Sequence, residues 1–222
     1  MKSQFKLAPS LLSADFSDLG SALKICEKGK AHWIHIDVMD NQFVPNLTIG
    51  PPVVKSIRAK TKKFLDVHMM VIQPENLVEP FARAGADNIT FHIEATDKPE
   101  EIITLIKSCG CKVGISIKPD TPLKTVLPFL DKVDVVLVMS VQPGFGGQGY
   151  IKKSNNRIKK IKQFLLRNCL DRVNIQVDGG IKIHNAPEVI DAGADILVAG
   201  SEVFSSSDPV RKIKDFYQLS NK

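Results

Sequence analysis

Apolar residues along this chain follow two alternating periods. Short runs rich in Ile, Val, Leu and Phe, at residues 5–12, 32–39, 63–71, 88–94, 112–118, 133–141, 172–177 and 194–199, have the length and composition of strands. The run at 133–141 is almost continuously apolar, as a parallel strand covered on both faces should be. Between the runs, apolar residues recur three and four apart, the period of a helix that buries one face. Asp15 or Ser17 caps the first helix, which ends near Gly29, and Pro51 suits the first turn of the second. Further helices are expected at 74–85, 99–108, 122–132, 154–168, 186–192 and 208–219. In 154–168, Ile158, Ile161, Phe164 and Leu165 form the buried stripe, with Lys and Arg on the other side. Eight strand–helix units in 222 residues, with no linker or low-complexity tract, predict an α/β fold: a single-domain (β/α)8 TIM barrel over residues 1–222. Ala-Gly-Ala-Asp occurs at 84–87 and again at 192–195, each time before a strand, and reads as a helix-to-strand turn.

Residues 34–40 break the apolar pattern. His35, Asp37 and Met39 are two apart and share one face of an otherwise apolar strand. A buried His and carboxylate need a partner or a metal to offset their desolvation. The same pattern returns in Phe64-Leu65-Asp66-Val67-His68-Met69-Met70, and the run at 172–177 ends in Asp178. Barrel sites lie at strand C-termini, where this reading puts His35, Asp37, His68 and Asp178. Two His and two carboxylates suit zinc, iron(II), cobalt or manganese and leave room for a substrate oxygen. The competing reading is a pair of hydrogen-bonded core histidines.

Glycines cluster after the last three strands, in Gly144-Phe145-Gly146-Gly147-Gln148-Gly149, in Gly179-Gly180 and at Gly200-Ser201. They let backbone N–H groups approach an anion, and the loops after strands seven and eight are the usual phosphate site of such barrels. The loop 142–150 can also close over a ligand. Met39, Met70 and Met139 each fall at a strand C-terminus, as core packing or as an apolar wall beside a reacting carbon.

Composition narrows the partners. With 43% hydrophobic and 24% charged residues the chain is of ordinary globular type. The net charge of +6, concentrated between residues 152 and 172, favours anionic metabolites. Aromatic content of 6%, with no stacking residues among the basic ones, lacks the footprint of a nucleic-acid binder. Cys109 and Cys111 are too close for zinc or redox spacings, and Cys26 and Cys169 fall in helical stretches, so reduced thiols are expected. No apolar leader and no run of about 18 apolar residues is present, so a soluble cytoplasmic protein without a membrane partner is expected.

Six segments, in order, carry a resemblance. They are Ala8-Pro9-Ser10-Leu11-Leu12-Ser13-Ala14-Asp15, the His35–Asp37–Met39 strand with Phe43-Val44-Pro45-Asn46, Asp66-Val67-His68, Pro143-Gly144-Phe145-Gly146-Gly147-Gln148, Val177-Asp178-Gly179-Gly180 and Val198-Ala199-Gly200-Ser201. From about residue 6 to residue 210 the chain resembles the ribulose-phosphate 3-epimerase family. The resemblance implies reversible interconversion of D-ribulose 5-phosphate and D-xylulose 5-phosphate at C3, in the pentose phosphate pathway. It implies one divalent ion per subunit, zinc first among the candidates, at His35, Asp37, His68 and Asp178. Asp37 and Asp178 would also be the acid/base pair. Ser10, His68, Gly144, Phe145, Gly146, Gly147, Asp178, Gly179, Gly180, Gly200 and Ser201 would contact the sugar phosphate, under a cap of Met39, Met70 and Met139. A homo-oligomer, dimer or hexamer, is implied as well. Asn41-Gln42, Gln142, Gly149 and Glu202 depart from the usual family pattern, and Glu202 stands near the phosphate end. The alternatives are a D-allulose-6-phosphate 3-epimerase, a non-catalytic sugar-phosphate-binding barrel, and a metal-independent lyase or decarboxylase.

Overall fold

Eight strands form one parallel sheet in the computed structural model, which describes residues 5–219. They are β1 (Lys6–Pro9), β2 (Trp33–Met39), β3 (Phe64–Met70), β4 (Asn88–His92), β5 (Lys112–Ile117), β6 (Val135–Met139), β7 (Asn174–Asp178) and β8 (Ile196–Ala199). The ladder runs β1-β8-β7-β6-β5-β4-β3-β2. Its two ends meet through a parallel bridge between Ser10 and His35, so the barrel is nearly closed. Around it lie α1 (Leu19–Lys28), α2 (Pro51–Arg58), α3 (Glu75–Ala84), α4 (Pro99–Ser108), α5 (Ser154–Arg167), α6 (Ala186–Asp191), α7 (Ser201–Phe204) and α8 (Pro209–Gln218).

Five details differ from the pattern reading. The helix expected at 122–132 is instead two 3₁₀ segments, Leu123–Thr125 and Leu127–Lys132. Pro128 interrupts this stretch, lacking an amide hydrogen and disfavouring helical geometry at the residue before it. The first strand ends at Pro9, because the Ser10 side chain accepts from Leu12 N–H and opens a 3₁₀ turn. Asp15 caps a second such turn, and Asp18 caps α1 itself. Cys169 lies past the end of α5 with φ 54°, outside any helix; all four thiols are unpaired. The one-turn α7 is too short to show a period in sequence.

The outer strand faces, with Ile34, Ile36, Val38, Leu65, Val67, Val136 and Val138, bury against the helices as the main core. Inside the barrel, Trp33, Val135 and Ile196 begin their strands and plug the lower end, with Ala8 and Val198 packed on them from the layer above. Above that plug the lining turns polar. The repeated Ala-Gly-Ala-Asp turn does more than reverse the chain. The Asp87 carboxylate accepts from Leu65 N–H and Asp195 from Ile175 N–H, both at 2.8 Å, stitching each strand start to its neighbour. Asp134 does the same for Val113 N–H at 3.0 Å. Among the described residues, no helix is long and apolar enough to cross a membrane.

Candidate metal centre and substrate cavity

Register assembles the polar cluster. His35-x-Asp37 and Asp66-x-His68 have opposite order, and the parallel β2–β3 ladder sets His35 beside Asp66 and Asp37 beside His68. Lower down, the His35 Nδ1–H donates to Asp66 at 2.7 Å, both side chains being fully buried. That fixes the tautomer and leaves His35 Nε2 aimed upward, 3.3 Å from Asp37 Oδ1 and 3.7 Å from Asp178 Oδ2. His68 Nδ1 faces the same two oxygens at 3.3 and 3.6 Å. Asp178, the last residue of β7, completes the group from across the barrel, and the four donor atoms lie within 4.8 Å of one another. His35 and His68 sit deeper than strand ends: they are interior residues of β2 and β3, with Met39 and Met70 above them.

This donor set fits a divalent cation. His35 Nε2 is buried and makes no hydrogen bond, because the nearby Asp37 oxygen is not aligned for one. An unpaired buried nitrogen is costly unless something else takes its lone pair. Two imidazoles and two carboxylates in one small space suit borderline ions such as zinc. In the protein alone, protons carry that charge. Burial pushes His35 down, but the Asp37 and Asp66 charges outweigh it and hold its pKa well above the ordinary value. His68 is also raised, the facing Asp178 and Asp37 carboxylates overcoming burial. Burial pushes Asp37 up, yet the His35 charge beside it holds it far below the usual carboxylate range. Asp178 is lowered against burial by the His35 and His68 rings facing it, while the Asp37 charge works in the opposite direction.

Both histidine pKa values lie above 6.5, so their protons must leave before the rings can coordinate, whereas the carboxylates are already ionised. Zinc affinity should therefore climb as pH rises above 6.5 through these raised values, and binding near pH 7 should release protons. Calorimetric titration in buffers of different ionisation enthalpy reads this directly; zinc binding without proton release would contradict the raised histidine pKa values.

The cluster floors a cavity that opens to solvent at its mouth. Asp37, Asp178, Ser10, Met39, Met70, Met139, Gly144, Phe145, Gly146, Gly147, Gly179, Gly180, Gly200 and Ser201 all line it, while His35 and His68 lie beneath. The Ser10 hydroxyl donates to Asp37 Oδ2 at 2.5 Å, leaving Oδ1 toward the histidines. Met39 and Met70 pack with Val44, and Met139 with Leu137 and Val141, which makes two apolar walls. The loop after β6 is tied down: Asn46 Nδ2 donates to Gly144 O at 2.9 Å, and Gln148 Nε2 donates to the Gln142 and Phe145 carbonyls.

At the far end, Gly180 has φ 66°, and a Cβ there would stand 2.5 Å from the Tyr150 backbone nitrogen. Gly180→Ala must therefore push the two loops apart, and we expect at least about a tenfold rise in KM for the substrate of this cavity, against a smaller change in kcat. Steady-state kinetics on the variant test this. The departures from the family pattern mostly avoid the cavity. Glu202 turns away, accepting from Ile183 N–H at 3.4 Å with Lys212 Nζ 3.8 Å off, and Asn41 and Gln42 are exposed on the rim. Gln142 does line the cavity, and its amide donates to Asp120 at 2.6 Å.

Several supporting residues were not singled out from sequence. Asp66 also accepts from Asn88 Nδ2 at 2.8 Å and from Gln176 Nε2, so one buried carboxylate gathers three strands. His92 Nε2 lies 3.0 Å from His68 Nε2, and His92 Nδ1 donates to Glu94 Oε2 at 3.0 Å. Burial takes His92 down to about 4, so it is neutral at pH 7. Glu94 is pushed up by burial but pulled down further by His92, to about 2.

Residues 6–204 match the ribulose-phosphate 3 epimerase family. The "Ribulose-phosphate 3-epimerase" of Bacillus subtilis (strain 168) is 46% identical over 210 residues, 95% of this chain and 97% of that protein. Its namesake in Escherichia coli (strain K12) is 44% identical over 206 residues, covering 92% and 91%. Among solved structures, KGPDC from Streptococcus mutans superposes with a TM-score of 0.73 over 99% of this chain and 98% of that one. At 14% identity it shares the barrel alone.

Proposed function

Since this chain belongs to the ribulose-phosphate 3-epimerase family, we propose that it interconverts D-ribulose 5-phosphate and D-xylulose 5-phosphate by two-base proton transfer at C3. The observation that carries the mechanism is the placement of Asp37 and Asp178, on β2 and β7, at the floor of one cavity walled by three methionines. Inversion at carbon needs a proton taken from one face and returned to the other, which requires two groups. Asp37 takes the C3 proton in one direction. Ser10, donating to its Oδ2, orients it. In that direction Asp178 must carry the proton to be delivered, and the Asp37 charge beside it favours that protonation. It returns a proton to the opposite face of the enediolate, and the roles exchange in reverse. Their titrations are linked through the shared histidines, so the pair carries joint rather than separate pKa values.

When bound at His35, Asp37, His68 and Asp178, a divalent ion, zinc by preference, supplies Lewis-acid stabilisation of the charge developing on the C2 oxygen. Met39, Met70 and Met139 keep water from the reacting carbon. Backbone N–H groups at 146–147, 179–180 and 200–201 would hold the phosphate, as glycine-rich loops after the last strands commonly do. The test runs D-ribulose 5-phosphate and D-allulose 6-phosphate side by side with zinc present. Pentose conversion well above hexose conversion is expected. Hexose conversion alone would move the substrate assignment, and no reaction with either would end the epimerase reading.

A further inference from the structure

The two metal-site histidines present different nitrogens, and only one is supported by a carboxylate directly. His35 offers Nε2 and donates its Nδ1–H to Asp66. His68 offers Nδ1, and its Nε2 meets the ring nitrogen of another histidine at 3.0 Å. Two ring nitrogens at that distance share one hydrogen: neither two lone pairs nor two N–H groups can face each other so closely. If the His68 Nδ1 lone pair points at a cation, Nε2 carries the hydrogen and His92 Nε2 accepts it. The remaining hydrogen of His92 is then on Nδ1, 3.0 Å from Glu94 Oε2. Glu94 is held in turn by Lys118 N–H, which donates to Oε1 at 2.7 Å. Every contact along this line is satisfied by one hydrogen arrangement and no other. Both imidazoles are fully buried, and their rings lie 5.0 Å apart, 25° from parallel. Phe43 covers the outer side of His92 at 4.9 Å between centroids.

We propose that His92 and Glu94 form a buried relay that fixes the tautomer and orientation of His68, so that Nδ1 is the ligand atom, and strengthens it as a donor through the Glu94 charge. His92 is thus a positioning residue for the proton-transfer site, acting through His68 without touching the substrate. The relay rests on the metal reading of the site given above and extends it one imidazole further out than Asp66 does for His35. Hydrogen bonding of this kind to a ligating histidine commonly changes metal affinity about 10–100-fold.

The test measures zinc affinity, by competition with a chelator, for the unaltered protein and for His92→Leu, His92→Gln and Glu94→Gln. Thermal melts of the zinc-free proteins report folding. His92→Leu keeps bulk but offers no acceptor, and should weaken zinc binding about 10–100-fold. The amide of His92→Gln can accept from His68 and donate to Glu94, and should recover affinity to within a few-fold. Glu94→Gln keeps the shape but loses the charge, and should fall between them. Wild-type affinity in His92→Leu overturns the relay, and so does an equal loss in His92→Gln, which would make the role one of packing. Should His92→Leu not fold, unchanged zinc affinity in Glu94→Gln overturns the relay by itself. An unaltered protein that binds no zinc at this site would overturn the relay and the metal reading together, whereas tight binding indifferent to residues 92 and 94 overturns the relay alone.

Discussion

Asp178→Asn loses epimerisation by about 1,000-fold or more, yet continues to exchange the C3 hydrogen of one epimer with solvent. With Asp37 intact, one face of the sugar keeps its base, so the proton can leave and return by the same side without inversion. Asp37→Asn gives the mirror result, with exchange surviving in the other epimer only. Both side chains are also candidate ligands. The comparison therefore belongs at saturating zinc, where the amide oxygen of Asn still fills the ligand position and a drop in occupancy is not mistaken for a lost proton carrier. Deuterium incorporation into recovered substrate separates the outcomes. Near-full epimerisation in either variant, or exchange of both epimers by both variants, would refute a two-base scheme.

The second large effect lies beneath the cavity. Asp66 is fully buried and accepts hydrogen bonds from His35, Asn88 and Gln176, which come from β2, β4 and β7. Asp66→Ala would leave three buried donors unpaired and the raised His35 without one of its three carboxylate neighbours. Removing one partner from such a buried network costs about 3–5 kcal/mol. For a chain of this size that corresponds to a fall of about 10 °C or more in the unfolding midpoint. The loss should be larger with zinc than without it, because bound metal stabilises the folded state by mass action and the weakened site gains less from it. Zinc affinity should drop as well, since His35 Nε2 loses the bond that orients it. A variant melting within about 2 °C of the unaltered protein would show that the network is not what holds the polar layer together.

The parts visible in sequence were those that violate a local expectation. His35 and Asp37 stand out because a buried strand should not carry them, and the glycines after β6, β7 and β8 because they cluster where a barrel binds its ligand. Eight units could be counted because strand and helix periods differ. What sequence could not show is pairing between strands. The inverted order of His35-x-Asp37 and Asp66-x-His68 was readable, but only register reveals that it sets each histidine beside the other motif's carboxylate. Asn88 and Gln176 look like ordinary polar residues until both are found on Asp66. His92-Ile93-Glu94 repeats the His-x-acid form at the end of β4, a signal that went unread because the segment holds no other mark of a site. Side-chain direction was also out of reach: Glu202, next to the glycine turn, points to Ile183 and not to the cavity. The stretch 122–132 failed for a simpler reason, as Pro128 outweighs a helical period that is only a few residues long.

Proton transfer at C3 is the claim on which the rest depends, and one measurement reaches it directly. D-ribulose 5-phosphate is converted by the zinc-loaded protein in D2O, and the product is read by NMR at the earliest measurable conversion. Two separate carboxylates predict D-xylulose 5-phosphate carrying deuterium at C3 from the first turnovers, because the returned proton comes from a group that never held the original one. Product that retains hydrogen at C3 would contradict the account, since the same hydrogen would then have travelled from one face to the other and Asp37 and Asp178 could not be its independent carriers.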